Sequence, residues 1–185
     1  MDFYDVMLNL CIGIVGGIFS SVIVSRIFLI NSNLTEQVAR VQQHIEKSYG
    51  LAGIMEFYSI AVKKKEYPKD EDSVNRLNEA LLQNIHLICD EEVRSFQSMI
   101  FDDLEKNLHD LAVELNDFVE KMLRLNEVNE ELMLKYGAEL VSIQNKFNAY
   151  RNISSKIFVE QLIKDKWLRM LAITFLIIIV LTVIA

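Results

Sequence analysis

The apolar residues of this chain are concentrated at its two ends, and no cationic side chain lies before Arg26 or after Arg169. The first segment, residues 6–30, begins with nineteen uncharged positions, and in residues 167–185 only Arg169 is charged. All 19 Lys and Arg residues fall between Arg26 and Arg169. Nineteen helical residues span about 28 Å, close to the thickness of the hydrocarbon core of a bilayer. We therefore expect two transmembrane helices, 6–30 and 167–185, with residues 31–166 between them.

The positions of the cations predict the orientation of these spans. Lys and Arg next to a span stay on the cytoplasmic side, and the outer flanks carry no side-chain cation. Both termini are expected outside the membrane, with the central domain in the cytoplasm and the last segment acting as a tail anchor. The predicted membrane-interface residues are Arg26, Lys164, Lys166, Trp167 and Arg169.

The first span carries small residues at helical spacing. Gly13, Gly17 and Ser21 fall four apart on one stripe, and Gly16 and Ser20 lie beside it. Small side chains let helix backbones approach closely in lipid, where dispersion holds helices together. This pattern predicts a packing stripe whose partner is either a second copy of the chain, giving a homo-oligomer, or the second span. The second span is bulky on all sides and is expected to face lipid.

Helical periodicity predicts an all-α central domain. A first helix is expected over residues 33–62 with Asn33 as its N-cap, followed by a charged loop at 63–72. No Gly or Pro interrupts residues 73–136, and a bend is expected at Cys89-Asp90, where Asp90 can cap a new helix. Gly137 is expected to be a helix C-cap.

A heptad-like seam follows the expected bend. Its members alternate in steps of four and three, with Asn129 in one seam position, where it would fix the helix register. Such a seam is either the core face of an amphipathic helix or an intermolecular coiled coil. Because both spans must enter the membrane from one side, the connecting helices must be even in number, which favours an antiparallel bundle of about four. The seam comprises Leu104, Leu108, Leu111, Leu115, Phe118, Met122, Leu125 and Leu132.

The chain carries no common catalytic or ligand-binding motif. With 26 acidic and 19 basic residues, its net charge of −7 disfavours direct nucleic-acid binding through bulk charge. Phosphate-loop, dinucleotide, zinc-protease and serine-hydrolase signatures do not occur. The two cysteines, Cys11 and Cys89, are far apart, which favours a reducing compartment. We expect no catalytic residue, no cofactor and no metal site, and therefore no enzyme.

Two resemblances bear on function. Tyr150-Arg151-Asn152 resembles the Arg-Asn opening of the HEPN ribonuclease motif, in which four to six residues separate the arginine from a histidine, but no such histidine follows Arg151. Arg40 and His44 are one residue short of the same spacing. A span at each end of a helical cytoplasmic domain is similar in layout to the two-transmembrane effectors of bacterial antiphage systems, including retron-associated ones.

The antiphage resemblance implies a specific activity. In that family a partner or trigger controls the cytoplasmic domain, and the membrane part permeabilises the inner membrane. The expected function is therefore a non-enzymatic oligomeric membrane effector, whose partners are the lipid bilayer, its own copies and a regulatory protein of the defence system. The alternatives are a membrane-anchored scaffold or adaptor that recruits a protein partner, and a degenerate HEPN-like membrane-tethered protein.

Overall fold

A computed structural model describes the backbone of residues 3–63 and 70–184. Side chains are described for these residues except 3–5, 8–9, 11, 62–63, 179 and 181–184. The described chain is helical with no strand, which confirms the all-α prediction. The helices are α1 (Phe3–Lys63), α2 (Glu71–Gln97), α3 (Lys106–Leu123), α4 (Glu130–Lys164) and α5 (Lys166–Ile184).

The chain divides into two compact units. The first, called here the terminal unit, combines Met1–Glu36 with Ile153–Ala185, and the second, called the central unit, is Gln37–Asn152. Helices α1 and α4 each contribute residues to both units. The predicted central domain, 31–166, is therefore wider than the central unit, because the residues at its two ends group with the apolar termini.

Helix α1 does not begin at Asn33, so the predicted first cap is wrong. Asn33 lies inside α1, and the nearby Thr35 hydroxyl donates to the Asn31 carbonyl at 2.8 Å, within the helix. No Gly or Pro separates Gly17 from Gly50, so nothing in the sequence interrupts the backbone hydrogen-bond ladder. Most of the predicted loop at 63–72, residues 64–69, lies outside the described residues; α2 then begins after Asp70, whose carboxylate accepts from the Ser73 N–H at 2.9 Å.

The bend predicted at Cys89-Asp90 is also wrong, because α2 continues to Gln97. Asp90 accepts from the Arg94 guanidinium at 2.6 Å, so its side chain is engaged along the helix surface and does not cap. The break comes eight residues later, at 98–105, where Ser98 closes α2 and Glu105 opens α3 by accepting from the Asn107 N–H at 3.0 Å.

The uninterrupted helix predicted through the seam divides at residues 124–129. Asn129 is not a seam residue that fixes register: it is the N-cap of α4, and its side-chain oxygen accepts from the Leu132 N–H at 2.9 Å. Gly137 is not a C-cap but an interior residue of α4. A Cβ added there would make ordinary contact with Met55 at 3.8 Å, so Gly137 marks close packing against α1.

The central unit buries apolar side chains from α1, α2, α3 and α4. Helices α1 and α2 approach closely enough that a Cβ added to Gly50 would lie 3.4 Å from the Ile88 side chain. Helices α3 and α4 are joined by ion pairs, Lys121 with Glu139 at 2.6 Å and Lys146 with Glu114 at 2.5 Å. The His86 ring nitrogen Nε2 lies 2.8 Å from a carbonyl in the segment that follows α3.

Candidate functional site

The terminal unit exposes apolar side chains on most of its surface. Ile18, Val24 and Phe28 of α1 are 60–71% exposed, and Leu176 of α5 is 61% exposed. Within the described residues, one helix is long and apolar enough to cross a membrane: the α1 stretch Ile12–Ala61, whose best 18-residue window has a mean hydropathy of 2.0 and none of its residues buried. Water disfavours such a surface, and hydrocarbon solvates it well.

One face of α1 is turned towards α5. Phe19, Ile23, Arg26 and Ile27 are half-buried, whereas the other side chains between Phe19 and Ile27 are exposed. Further towards the N-terminus, Gly16 and Phe175 border an apolar groove of about 230 Å³ between the two helices. The two helices therefore pack along one stripe and leave the rest of each surface uncovered.

Within the terminal unit, an ion pair joins α1 to the residue that separates α4 from α5. Asp165, the single residue between α4 and α5, accepts through Oδ2 from Arg26 Nε at 3.1 Å and Nη2 at 2.9 Å. Its other oxygen, Oδ1, accepts from the Leu168 N–H at 2.9 Å, so Asp165 is also the N-cap of α5. The Arg26 hydrogen bond and, after it, the Leu168 N–H lower the pKa of the Asp165 carboxyl. We call this arrangement the α4–α5 joint.

The joint separates α4 from α5, so the last helix of the central domain does not continue into α5 without interruption. It also brings the predicted interface residues together. Lys164 and Lys166 flank Asp165 directly, and Arg169 donates to the Lys164 carbonyl at 2.7 Å. Trp167 is 62% exposed. Sequence reasoning missed Asp165 itself, although an Asp followed by an apolar helix is an ordinary N-cap signal.

A groove lies beside the joint. Its volume is about 550 Å³, and Arg26 and Trp167 line it together with Ser21, Ser25 and apolar side chains of α1 and α5. The groove therefore combines a cation, two hydroxyl groups and an indole with apolar walls.

The small-residue stripe is divided between two faces of α1. Gly16 borders the 230 Å³ groove and Ser21 the groove beside the joint, whereas Gly13, Gly17 and Ser20 are exposed and border neither. A Cβ added at any of the three glycines would meet no described atom within 4 Å. No close contact inside the described chain therefore occupies the Gly13–Gly17 face.

Most seam residues are buried in the central unit. Seven of the eight, all but Leu132, have less than a tenth of their surface exposed, and Leu132 is half-buried in α4. Five of them lie in α3, whereas Leu104 precedes α3 and Leu125 follows it. An intermolecular coiled coil would need these side chains free in the single chain, where they are already covered.

A buried polar cluster lies between α1 and α2. His44 and Glu92 are 6% and 1% exposed, and His44 Nδ1 lies 3.0 Å from Glu92 Oε2. Lys47 Nζ lies 3.9 Å from Glu92 Oε1 and donates to Ser95 Oγ at 3.1 Å. The His44 ring stacks on Phe96 with centroids 4.3 Å apart. These contacts hold the cluster in place from several sides.

This cluster has the chemistry of a structural centre. The imidazole of His44 is engaged by Glu92 and covered by Phe96, so it is not available to a polymer substrate, and Arg151 lies on the exposed surface of α4. Burial, and after it the charge of Glu92, raises the pKa of the Cys89 thiol to about 12, which leaves it a poor nucleophile. Among the described residues, no three His, Cys, Asp or Glu side chains converge to hold a metal ion.

Comparison with known proteins identified no relative. No protein-family model, no curated protein and no solved structure matches this chain. Its function must therefore be inferred from its own residues.

Proposed function

We propose that this protein is a non-enzymatic, oligomeric inner-membrane effector that permeabilises or depolarises the membrane when its cytoplasmic domain is triggered. In this proposal residues 6–30 and 167–185 span the bilayer, both termini lie outside, and the helices between them form an antiparallel bundle in the cytoplasm. The similarity in layout to two-transmembrane antiphage effectors supports a role in defence, under control of a regulatory partner.

The observation that carries the proposal is the uncovered small-residue face of α1. Gly13 and Gly17 have no described neighbour within 4 Å of an added Cβ, and they lie on a helix whose apolar side chains are exposed. In lipid, a face of this kind gains dispersion energy by packing against a second helix backbone. Because Gly13 and Gly17 border neither groove towards α5, the partner we infer is α1 of another copy, with Ser20 available to line a polar path.

The test compares the same substitution at two adjacent glycines of the full-length protein. Gly17→Leu places a bulky side chain on the uncovered face and should abolish detergent-resistant oligomers without preventing insertion. Gly16→Leu points the same side chain into the 230 Å³ groove towards α5 and should leave the oligomers intact. Oligomers are measured by cross-linking in membranes, and permeability by dye release from liposomes and by membrane potential in expressing cells.

The two substitutions separate the possible outcomes. Wild type and Gly16→Leu should oligomerise and depolarise the membrane, while Gly17→Leu should do neither. Intact oligomers in Gly17→Leu would exclude this stripe as the interface. Oligomers of wild type that never release dye, under any trigger, would favour the scaffold function.

Topology is tested independently with reporter fusions. A reporter at the C-terminus should be translocated, and one inserted within 63–72 should remain cytoplasmic. Replacing Lys164, Lys166 and Arg169 together by Gln should weaken the orientation of the second span, since each cation retains its flank inside. The opposite pattern would exclude a cytoplasmic trigger.

A scaffold or adaptor is the second candidate, and one groove of the central unit favours it. Met55, Met133, Leu134 and Val141 line a depression of about 390 Å³ between α1 and α4, and the last two side chains are about half exposed. The two methionines are buried, and the exposed apolar side chains of Leu134 and Val141 suit a helical partner. Leu134→Glu should abolish recruitment of such a partner and leave oligomers and insertion unchanged, as measured by co-purification from membranes.

A further inference from the structure

The groove beside the α4–α5 joint combines two kinds of surface. Val22, Leu29 and Leu171 give it apolar walls, and the Arg26 guanidinium, the Ser21 and Ser25 hydroxyls and the Trp167 indole give it polar groups. Val22 lies one helical turn before Arg26, and Leu171 lies one turn after Trp167. A phospholipid has an apolar acyl chain and a charged headgroup. Apolar side chains beside a cation and an interfacial aromatic residue can contact both parts.

The charge around the groove is positive. Arg26 and residues 160–169 together carry four cations and two acidic residues. The cations are Arg26, Lys164, Lys166 and Arg169, and the acidic residues are Glu160 and Asp165. Asp165 is the more deeply buried partner of the ion pair: its side chain is 11% exposed against 35% for Arg26. Arg26 binds Asp165 through Nε and Nη2 only, and Nη1 takes no part in that pair.

We propose that this groove binds an anionic phospholipid, with the headgroup phosphate at Arg26 and an acyl chain along Val22 and Leu171. The inference rests on the proposed insertion of the terminal unit in the membrane. A guanidinium can serve a carboxylate and a phosphate at once, because it carries five N–H donors in a planar fork. The cytoplasmic leaflet, where the cations place this groove, supplies anionic lipid.

The occupant is a lipid and not a soluble phosphate because most of the wall offers nothing to a hydrated anion. Val22 and Leu171 gain only from contact with hydrocarbon. The bound lipid would also hold the joint together from outside, by contacting α1 and α5 at once.

Trp167 makes the groove directly observable, because it is the only tryptophan of the chain. The full-length protein is reconstituted in liposomes that contain increasing mole fractions of phosphatidylglycerol or phosphatidylcholine, each brominated high on the acyl chain. The readout is quenching of Trp167 fluorescence. Wild type should be quenched by the anionic lipid at about a fivefold lower mole fraction, as expected for one cation at an anionic headgroup.

Three variants identify the cation that is responsible. Arg26→Gln should lose the anionic preference. Asp165→Asn breaks the same ion pair but leaves the Arg26 charge, and should keep or increase the preference. Lys156→Gln removes an exposed cation about nine residues before the joint, which does not line the groove, and should behave as wild type.

Each other result overturns the inference. Equal quenching of wild type by both lipids, or an anionic preference that persists in Arg26→Gln, would mean that Arg26 does not recognise the headgroup. Neither result would contradict membrane insertion. Loss of the preference in Asp165→Asn as well would assign it to the intact joint and not to Arg26. Quenching that depends on the protein-to-lipid ratio would place a second copy in the groove. No quenching by either lipid would overturn the proposed insertion together with the site.

Discussion

Helix α1 passes through both compact units, and its two halves use apolar side chains in opposite ways. In the terminal unit, Ile12, Ile18 and Val24 are all more than half exposed. In the central unit, Val41 and Ile45 are at most 2% exposed, and the other buried apolar residues of that half continue at helical spacing. One continuous helix therefore carries two kinds of surface: along its first half apolar side chains are exposed on most sides, as suits hydrocarbon, and along its second half an apolar stripe is covered, as water requires.

The largest expected difference between the units concerns cysteine reactivity. Burial raises the pKa of the Cys89 thiol from 9.0 to about 12, which lowers its thiolate fraction near neutral pH by about a thousandfold. In a Cys11→Ala variant, folded protein should alkylate with iodoacetamide at least that much more slowly than protein unfolded in denaturant, as measured by mass spectrometry. Equal rates in the two states would mean that the core of the central unit opens freely.

The sign of the pH dependence follows from the same shift. Because the folded-state pKa of Cys89 lies above its unfolded value, the unfolded chain loses its proton first as pH rises. This group therefore contributes stability below about pH 9 that is progressively lost as the pH rises towards 12.

The second expected effect is on the core of the central unit. Phe118 has 0% of its surface exposed, so Phe118→Ala should lower the free energy of unfolding by about 3–5 kcal/mol. The matched control is Phe57→Ala, the same change at a side chain that is 55% exposed, which should cost less than about 1 kcal/mol. Both are measured on the full-length protein in mild detergent, by amide hydrogen exchange of α2 and α3.

A loss below about half a kcal/mol in Phe118→Ala would contradict the comparison of the two units. It would mean that the seam of α3 faces solvent in the single chain, as the coiled-coil alternative requires.

The third expected effect concerns the buried polar cluster. Glu92→Gln keeps an acceptor for His44 but replaces the carboxylate that faces the Lys47 ammonium, and it should cost about 1–3 kcal/mol. Glu91→Gln is the matched control, because Glu91 is exposed one position earlier in α2. Urea unfolding compares the two variants, and equal midpoints would mean that the cluster contributes no net stability.

The boundaries of α2 and α4 differ in how well local sequence predicts them. Two local patterns disagree about Asn129. An Asn followed by two acidic residues, Glu130 and Glu131, is an N-cap signal, whereas the heptad pattern places Asn129 inside a continuous helix. The end of α2 at Ser98 had no such signal, since neither Gly nor Pro occurs there. That break is fixed by a distant contact: the Glu105 N–H, at the start of α3, donates to Gln37 at 2.8 Å.

The pairs that define the polar sites could not be predicted, for a related reason. Arg26 and Asp165 are 139 positions apart, and His44 and Glu92 are 48 apart, so no periodicity within one helix relates them. Local patterns along the chain were enough to predict helices and a group of cations before the second apolar segment. These cations, Lys164, Lys166 and Arg169, lie around the joint in the structure.

The smallest expected effect separates the two roles of Asp165. Asp165→Asn keeps an oxygen for the Leu168 N–H and loses only the charge towards Arg26, so it should destabilise the start of α5 by no more than about 1 kcal/mol, since Arg26 is partly exposed. Asp165→Ala loses the cap as well and should cost about 1 kcal/mol more. Amide hydrogen exchange across the first turn of α5 measures both.

Acid provides the control for the ion pair. Because the folded-state pKa of Asp165 is depressed below 3.8, the ion pair contributes stability above that value and loses it as pH falls through the folded pKa. The difference between wild type and Asp165→Asn should therefore shrink in strong acid, whereas the difference between Asp165→Asn and Asp165→Ala, which reflects the cap alone, should persist. If both differences were unaffected by acid, the cap and not the Arg26 charge would be what holds α5 at the joint.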